Sequence, residues 1–349
     1  MPIEARRTFR LSLTVSLALV GAYAFGLPLP YFAPLFAVLL AAAPTPPMGL
    51  KGLISLILVV LIALGIGLLL IPTLIYYPVS AVLIVAVGLF LSSFLTVNMG
   101  KGLVGSLLTM GFTLIPAAGT IDFSVAVIVI QSLVLGIGFA IICQWLVYPW
   151  FPEDASPAAK AAPVADAAER SNWIALRAAL IVLPPFLLSL VNPQAYLAII
   201  MKSVLLGQQG SVVSARNAGR ELLGSTFLGG CFAVLFWFAL KIHPNLWMFF
   251  LWMLLFSVYF SSKFYQIIAS RFPPSFWQNA AVTMLILLGP AVHDSASGKD
   301  VYKAFAVRMG LFVAVTLYAW LAVYALEQLR TRRLSRRALS LADMRSSRC

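Results

Sequence analysis

Charged residues are scarce in this sequence. Asp, Glu, Lys and Arg make up 10% of its 349 residues, whereas hydrophobic residues make up 62% and the mean hydropathy is +0.98. A soluble domain of ordinary composition carries about 25% charged residues. A water-soluble fold of this size has no way to hide so much apolar surface, so the composition predicts a membrane protein.

Cysteine, histidine and the common catalytic motifs are also few or missing. The three cysteines, Cys143, Cys231 and Cys349, have neither metal-site nor disulfide-framework spacing. The two histidines, His243 and His293, fall in predicted loops, and neither H-E-x-x-H nor G-x-x-x-x-G-K-[ST] occurs. We therefore expect no metal, no cofactor and no enzymatic activity.

Positive charge is in excess, with a formal net charge of +13. The basic residues lie mainly in short loops and the C-terminal tail, and no basic surface alternates with exposed aromatics, so we expect no binding to nucleic acid. If the N-terminus is cytoplasmic and the number of crossings is even, only Lys241, Lys299 and Lys303 of these loop and tail residues fall outside. This bias predicts that both termini are cytoplasmic.

A polar stretch, FPEDASPAAKAAPVADAAERS at 151–171, separates two apolar parts. Windows of about 17–25 residues, long enough to cross hydrocarbon, predict six segments in 1–150 and six in 172–328, followed by a basic cytoplasmic tail at 329–349 that continues the last helix. The fold class is therefore all-α, a polytopic membrane protein with about twelve segments. The second and eighth segments are short, which predicts tilted, protein-shielded or re-entrant helices. The predicted segments are 8–27, 29–43, 50–71, 74–96, 102–118, 123–148, 173–191, 195–206, 222–240, 246–260, 276–291 and 301–326.

The pattern T-M-x5-P-A occurs once in each part. It runs from Thr109 to Pro116 and Ala117 in the fifth segment, and from Thr283 to Pro290 and Ala291 in the eleventh. Pro116 and Pro290 are candidate structural residues, since proline bends a helix.

Two further similarities keep the same order. The sequence PYFAPLFAVLL of the second segment aligns with AYLAIIMKSVLL of the eighth, which pairs Tyr31 with Tyr196, and Arg10 and Arg177 each lie near the start of the first segment of their half. Six crossings per half give both halves the same orientation. We therefore predict a parallel repeat about an axis normal to the membrane, with a pathway or site where the halves meet.

Three basic residues lie at least one helical turn inside predicted segments: Lys202, Arg308 and Arg177. Charge within hydrocarbon is costly and usually has a function. Embedded carboxylates are scarce, so a pathway lined by these cations and by amides such as Gln131 favours an anionic solute. Snorkelling of the basic side chains to the headgroups is the alternative. The carboxylates nearest to the segments, all at predicted helix ends, are Asp122, Glu221 and Asp300.

The remaining candidate residues are aromatic or structural. Tyr31 and Tyr196, placed symmetrically by the repeat, are candidates for stacking on a planar ligand, although such tyrosines usually form an interfacial belt. Gly224 and Gly229 have the spacing of small residues that let helices approach closely. Arg220 precedes them and is expected to pair locally or to cap the helix.

The stretch AYLAIIMKSVLLGQQGSVVSARNAGRELLGSTFLGG at 195–230 resembles the fusaric acid resistance and aromatic acid exporter superfamily. In that superfamily a short segment with Tyr-Trp near its start leads to a loop, and an arginine then opens a helix rich in small residues. Here Leu197 replaces the Trp. The first half matches in outline through Arg10, LPYFAPLFAVLLAAAP and Lys51.

The resemblance implies a short, membrane-only branch of that superfamily in the bacterial inner membrane. It implies export of small organic, often aromatic, acids, with a periplasmic adaptor (a membrane fusion protein) and an outer-membrane channel as partners besides the lipid bilayer. It also implies kinship with plant malate-permeable anion channels. Three functions stay open at this point: an exporter of organic anions, a passive anion channel, and a non-transporting membrane partner of an adaptor.

Overall fold

A computed structural model describes residues 1–100, 102–154, 168–212, 219–298 and 300–346. Within these residues the chain forms twelve α-helices, which confirms the all-α prediction. A 3-10 turn, Tyr148–Trp150, follows the sixth helix, and a π-helical turn, Gly219–Leu223, leads into the ninth. The helices are α1 (Ile3–Ala24), α2 (Phe32–Ala41), α3 (Leu50–Tyr76), α4 (Pro78–Met99), α5 (Gly102–Gly119), α6 (Phe123–Val147), α7 (Ala168–Val191), α8 (Pro193–Val212), α9 (Gly224–Ile242), α10 (Leu246–Phe264), α11 (Pro274–Ala296) and α12 (Val301–Ser346).

The chain is a polytopic membrane protein. Among the described residues, nine helices are long and apolar enough to cross a membrane by length and composition, and α1, α2 and α8 are the three that fall short of that criterion. The predicted second and eighth segments are short, as expected, with apolar helical stretches at Phe32–Ala41 and Tyr196–Gly207. The first helix falls short because it begins with Glu4 and the arginines at 6, 7 and 10.

Several helix boundaries follow from local chemistry. The side chain of Asp122 accepts a hydrogen bond from the backbone N–H of Ser124 at 2.7 Å and so caps the start of α6. Asn245 caps α10 in the same way through the N–H of Met248. Both side chains satisfy a backbone donor that has no partner within its helix. Gly100, with φ of +65°, ends α4 in the left-handed conformation that glycine adopts most readily.

Four helices, α2, α5, α8 and α11, form the centre of the bundle. In the apolar 18-residue stretch of each membrane helix, 72% of the stretch is buried inside the bundle in α5 and in α11. In α3, α4 and α12 the buried share is one third or less. The exposed side chains on these outer helices are apolar, such as Leu69 on α3 and Val79 on α4, which are 76% and 75% exposed. A surface of this kind is suited to lipid.

The packing partners of each helix follow a simple rule. Within the first six helices, α1 packs on α2, α3 on α5 and α2 on α6, and the corresponding contacts join α7 to α8, α9 to α11 and α8 to α12. The four most extensive contacts between the two sets of six obey the same rule, because α1 packs on α10 and α7 on α4, while α5 packs on α8 and α11 on α2. Replacing each helix by the one six places along the chain therefore preserves these contacts. The smaller contacts of α5 with α7 and of α8 with α11 have no comparable counterpart.

Glycine allows two of these helix pairs to approach closely. A Cβ atom at Gly67 of α3 would collide with the carbonyl oxygen of Gly111 on α5. A Cβ atom at Gly229 of α9 would lie 2.5 Å from the carbonyl oxygen of Ala280 on α11. Gly224, also on α9, has more room, since its nearest neighbour is the Phe276 ring at 3.1 Å.

The boundaries differ from the sequence prediction at the ends of some segments. Helix α11 continues to Ala296 beyond the predicted end at 291, although Pro290 lies inside it, and α5 likewise continues past Pro116. The continuation of the last helix into the tail agrees with the prediction, since α12 extends to Ser346. Most of the predicted polar linker, 155–167, lies outside the described residues, as do 213–218 of the stretch that carries the family resemblance.

Candidate functional site

A fully buried lysine lies at the centre of the bundle. Lys202 on α8 has no exposed surface, and its Nζ donates to Asn279 Oδ1 at 3.1 Å and to Thr283 Oγ1 at 2.7 Å. Asn279 and Thr283 are four residues apart on α11, so they lie on the same face of that helix. Both acceptors are neutral, and they stabilise the ammonium group without neutralising its charge.

The hydrogen bonds continue from α11 to α9. Asn279 Nδ2 donates to Ser225 Oγ, and Thr283 Oγ1 donates to the carbonyl oxygen of Asn279 at 2.6 Å. Lys202, Asn279, Thr283 and Ser225, which we call the Lys202 cluster, are all at most 2% exposed. Three helices thus meet around one positive charge. An ammonium ion buried without a counter-ion is unfavourable, so such a site favours the arrival of a negative group.

The other embedded or buried basic side chains of the described residues have carboxylate partners. Each pair joins a helix to another part of the fold. Each carboxylate lies outside the twelve predicted segments. Lys202 differs, because no carboxylate among the described residues pairs with it. The pairs are Arg10–Glu153 at 2.9 Å, Arg177–Glu327 at 3.6 Å and Arg308–Asp294 at 2.6 Å.

The Arg308–Asp294 pair links α12 to α11 near the start of α12. The Asp294 side chain is only 6% exposed and that of Arg308 is 21% exposed. The ring of Tyr31, before α2, leaves no room for a Cβ atom at Gly289 of α11, five residues before Asp294. The structure therefore brings Arg308 and Tyr31 to the same end of the bundle.

Along α11, Asp294 lies eleven residues beyond Thr283. At 1.5 Å per residue this separation is about 16 Å, roughly half the thickness of a hydrocarbon core. The Lys202 cluster thus lies about half the thickness of a hydrocarbon core away from the Arg308–Asp294 pair. On α12, Glu327 lies nineteen residues beyond Arg308, about 28 Å along the helix, so Arg177 belongs to the opposite end.

A second group of charges anchors the start of α1. Glu153 contacts both Arg7 and Arg10, and Arg6 donates to Asp154 at 2.6 Å. Burial alone would raise the pKa of Glu153, but the hydrogen bonds and charges of Arg7 and Arg10 outweigh burial and hold that pKa below its usual range. Glu153 is therefore ionised at neutral pH and ties the residues after α6 to α1.

Two small cavities lie where the two sets of six helices meet. Each has room for about 20 Å³, which is the space of one water molecule. The first lies among α4, α5, α7 and α8 and is bordered by Thr109 and Gly207; the second lies among α1, α2, α10 and α11 and is bordered by Ala42 and Ser261. Lys202 borders neither of these two cavities and is itself fully buried.

One family matches part of the chain. Residues 7–147 match the model of a family described as a protein of unknown function, DUF2955. No curated protein and no solved structure matches the chain. The matched range covers α1 to α6 and ends before α8, so the Lys202 cluster lies outside it.

The other residues singled out in the sequence lie apart from the cluster. Tyr196 is on α8 and half-buried, six residues before Lys202, or about 9 Å along the helix. Gln131 is exposed on α6, and Arg220 is exposed in the π-helical turn before α9. Of the six candidates for solute binding, only Lys202 is at the centre.

Sequence reasoning missed four polar residues of interest: Asn279, Ser225, Asp294 and Glu153. Asn279 lies four residues before Thr283 of the T-M-x5-P-A pattern, and this helical spacing is a signal that was available. The eleventh segment is predicted to end at 291, which places Asp294 in a loop. Glu153 falls in the predicted linker, and no feature of the local sequence indicates its arginine partners.

Proposed function

We propose that this protein exports small organic anions, including aromatic acids, across the bacterial inner membrane, with both termini in the cytoplasm. The observation that carries the proposal is the fully buried Lys202, which has only neutral hydrogen-bond partners. The likeness of residues 195–230 to aromatic acid exporters supports the direction of transport and the class of cargo. The same likeness supports a periplasmic adaptor and an outer-membrane channel as partners.

The chemistry of Lys202 fits a carboxylate ligand. An ammonium group has three N–H donors, and two of them are occupied by Asn279 and Thr283. The third donor of the protonated lysine and its positive charge are available to a solute. Binding of a carboxylate there would replace an isolated charge with a hydrogen-bonded pair, which is much less costly in a low-dielectric interior.

The proposal includes two halves related by a parallel two-fold repeat. The contacts between helices support it, because replacing each helix by the one six places along the chain preserves the largest of them. The two cavities support it as well, since they occupy corresponding sets of four helices. The pairs Arg10–Glu153 and Arg177–Glu327 also correspond, since each joins the first helix of a half to its sixth helix or the residues just after it. A repeat of this type favours a pathway along the interface of the halves.

The binding site itself belongs to one half only. Thr283 accepts a hydrogen bond from Lys202, whereas Thr109, its counterpart in T-M-x5-P-A, bonds to Ser92 at 2.9 Å. In the alignment of the short segments, Ala37 stands where the second half has Lys202. One fully buried cation at the centre of the bundle favours a carrier with one solute site over an open anion channel.

Transport by proteoliposomes tests the proposal. The purified protein would be reconstituted, loaded with labelled benzoate or malate, and compared with Lys202→Gln, with Lys51→Gln as a matched control at an exposed lysine. We expect Lys202→Gln to lower transport at least tenfold, because the charge that attracts the anion is gone, and Lys51→Gln to leave it unchanged.

A pH gradient across the vesicle membrane separates the exporter from a channel. Accumulation of malate against its own electrochemical gradient supports an exporter, since a channel lets the anion move only down that gradient. Transport that is equal in Lys202→Gln and the native protein, at equal reconstitution, would contradict the role of Lys202. A native protein that moves no acid in any arrangement would favour the non-transporting membrane partner.

A further inference from the structure

A groove runs along the outer surface of the bundle between α9 and α12. It has a volume of about 440 Å³. Both helices pack more extensively on α11 than on each other, which leaves the groove open. Phe227 and Tyr302 at its edges are 63% and 46% exposed, so the groove faces the surroundings of the bundle rather than its centre. Its walls are almost entirely apolar, with Phe227, Val234, Trp237, Phe305, Ala306 and Met309 among them.

One end of the groove carries a positive charge. Lys241, near the C-terminus of α9, donates from Nζ to the hydroxyl of Tyr302 at 2.7 Å and lies 4.6 Å from the centre of its ring. Tyr302 lines the groove and is in the first turn of α12. Among the described residues no carboxylate pairs with Lys241. The rim of an apolar groove thus presents an exposed cation.

A hydrogen-bond donor lies one turn below that charge. Trp237 precedes Lys241 by four residues on α9, so the two are on the same face and about 6 Å apart along the axis. Trp237 borders the groove and is 8% exposed, and its Nε1 has no hydrogen-bond partner among the described residues. A buried donor without an acceptor is unfavourable, so a ligand that brings an acceptor gains from it.

We propose that this groove binds an anionic phospholipid. From Phe227 to Trp237 the apolar wall spans ten residues, about 15 Å, which matches the hydrocarbon depth of one leaflet. An acyl chain fits along this wall, the ester carbonyl comes level with Trp237, and the phosphate comes level with Lys241. The order of apolar wall, donor and cation along α9 is the order of acyl chain, ester and headgroup in the lipid.

Native mass spectrometry of the full chain tests the proposal. The protein would be incubated in detergent with equal amounts of phosphatidylglycerol and phosphatidylcholine, and the lipids retained would be counted. Loss of one surface lysine charge near a phosphate corresponds to about a fivefold change. We therefore expect Lys241→Gln to lower the preference for phosphatidylglycerol about fivefold. The control Lys303→Gln removes an equal charge from the first turn of α12 outside the groove lining, and we expect no change in preference.

Two further variants distinguish lipid binding in the groove from a general attraction of anionic lipid to the protein. Trp237→Phe keeps the ring but removes the donor, so retention of both lipids falls while the preference stays. Ala306→Trp fills the groove at an exposed position, so retention of both lipids falls tenfold or more without a loss of thermal stability. Equal effects of Lys241→Gln and Lys303→Gln would overturn the proposal. Full retention of lipid by the Ala306→Trp protein would overturn it as well. So would the detection of a second copy of the chain bound in place of lipid.

Discussion

The guanidinium group of Arg308 on α12 lies 2.6 Å from the carboxylate of Asp294 on α11, and only 6% of that carboxylate side chain is exposed. Their contact fastens the start of the last helix to the end of the preceding one. The ring of Tyr31, before α2, packs against Gly289 of α11, five residues before Asp294, so three parts of the chain meet at the same end of the bundle.

We expect Asp294→Asn to destabilise the protein by about 2–4 kcal/mol. Removing one partner of a buried ion pair leaves the other as an uncompensated charge, and the partial exposure of Arg308 places the loss toward the lower part of that range. The measurement is thermal unfolding in detergent. The double variant Asp294→Asn with Arg308→Gln should recover much of the loss, and Glu4→Gln, at an exposed carboxylate, is the control. A double variant as unstable as the single one would contradict the pairing.

Acidification should weaken the contact between the start of α1 and Glu153. The pKa of Glu153 is held below its usual range, so its carboxylate stabilises the fold above the ordinary value of about 4.3, and that contribution is lost as pH falls through the lower folded-state pKa. The protection of the backbone amides at 6–12 against hydrogen exchange, corrected for the intrinsic exchange rate at each pH, should therefore decrease from pH 7 to pH 3.

The variant Glu153→Gln isolates this effect. It lacks the titrating group, so we expect weaker protection at pH 7 and little further change in protection on acidification. The Glu4→Gln protein should behave as the native chain does. An acid response that is as large in Glu153→Gln as in the native protein would show that another group controls α1.

Substitution of Gly229 should separate α9 from α11. A Cβ atom there would lie 2.5 Å from the carbonyl oxygen of Ala280, so Gly229→Ala forces the helices apart, and we expect a loss of about 1–3 kcal/mol. Gly67→Ala should have a similar effect on α3 and α5. The control is Gly65→Ala, which has no neighbour within 4 Å of the added atom. Thermal unfolding compares the three, and an unaffected Gly229→Ala would mean that the two helices are farther apart.

The sequence was sufficient for the fold class because lipid-facing helices need long apolar runs, and the boundaries of most helices follow from those runs. It also placed Lys202 within a segment, since a lysine between apolar neighbours stands out. It did not indicate which side of α6 is buried, because that helix is apolar all round, and Gln131 proves to be exposed. A hydrophobic pattern identifies a face only when the opposite face is polar.

The burial of Asp294 and Glu153 was out of reach for a different reason. A carboxylate is buried only where a distant part of the chain supplies a cation, and neither the spacing nor the neighbours of these two residues indicates that cation. The predicted segments leave both residues outside the membrane-spanning helices. The partners of Asp294 and Glu153 became visible only with the packing of α12 on α11 and of α1 beside the residues after α6.

The last helix is a single rod of 46 residues, Val301–Ser346. At 1.5 Å per residue it is about 69 Å long, more than twice the depth of a hydrocarbon layer of about 30 Å. More than a third of it therefore projects into water. Since Arg308 sits near the opposite end of the same rod, a tilt of about 10° about that end swings the projecting tip sideways by roughly 10 Å. A small tilt at the Arg308 end of α12 therefore produces a larger displacement of its C-terminal end.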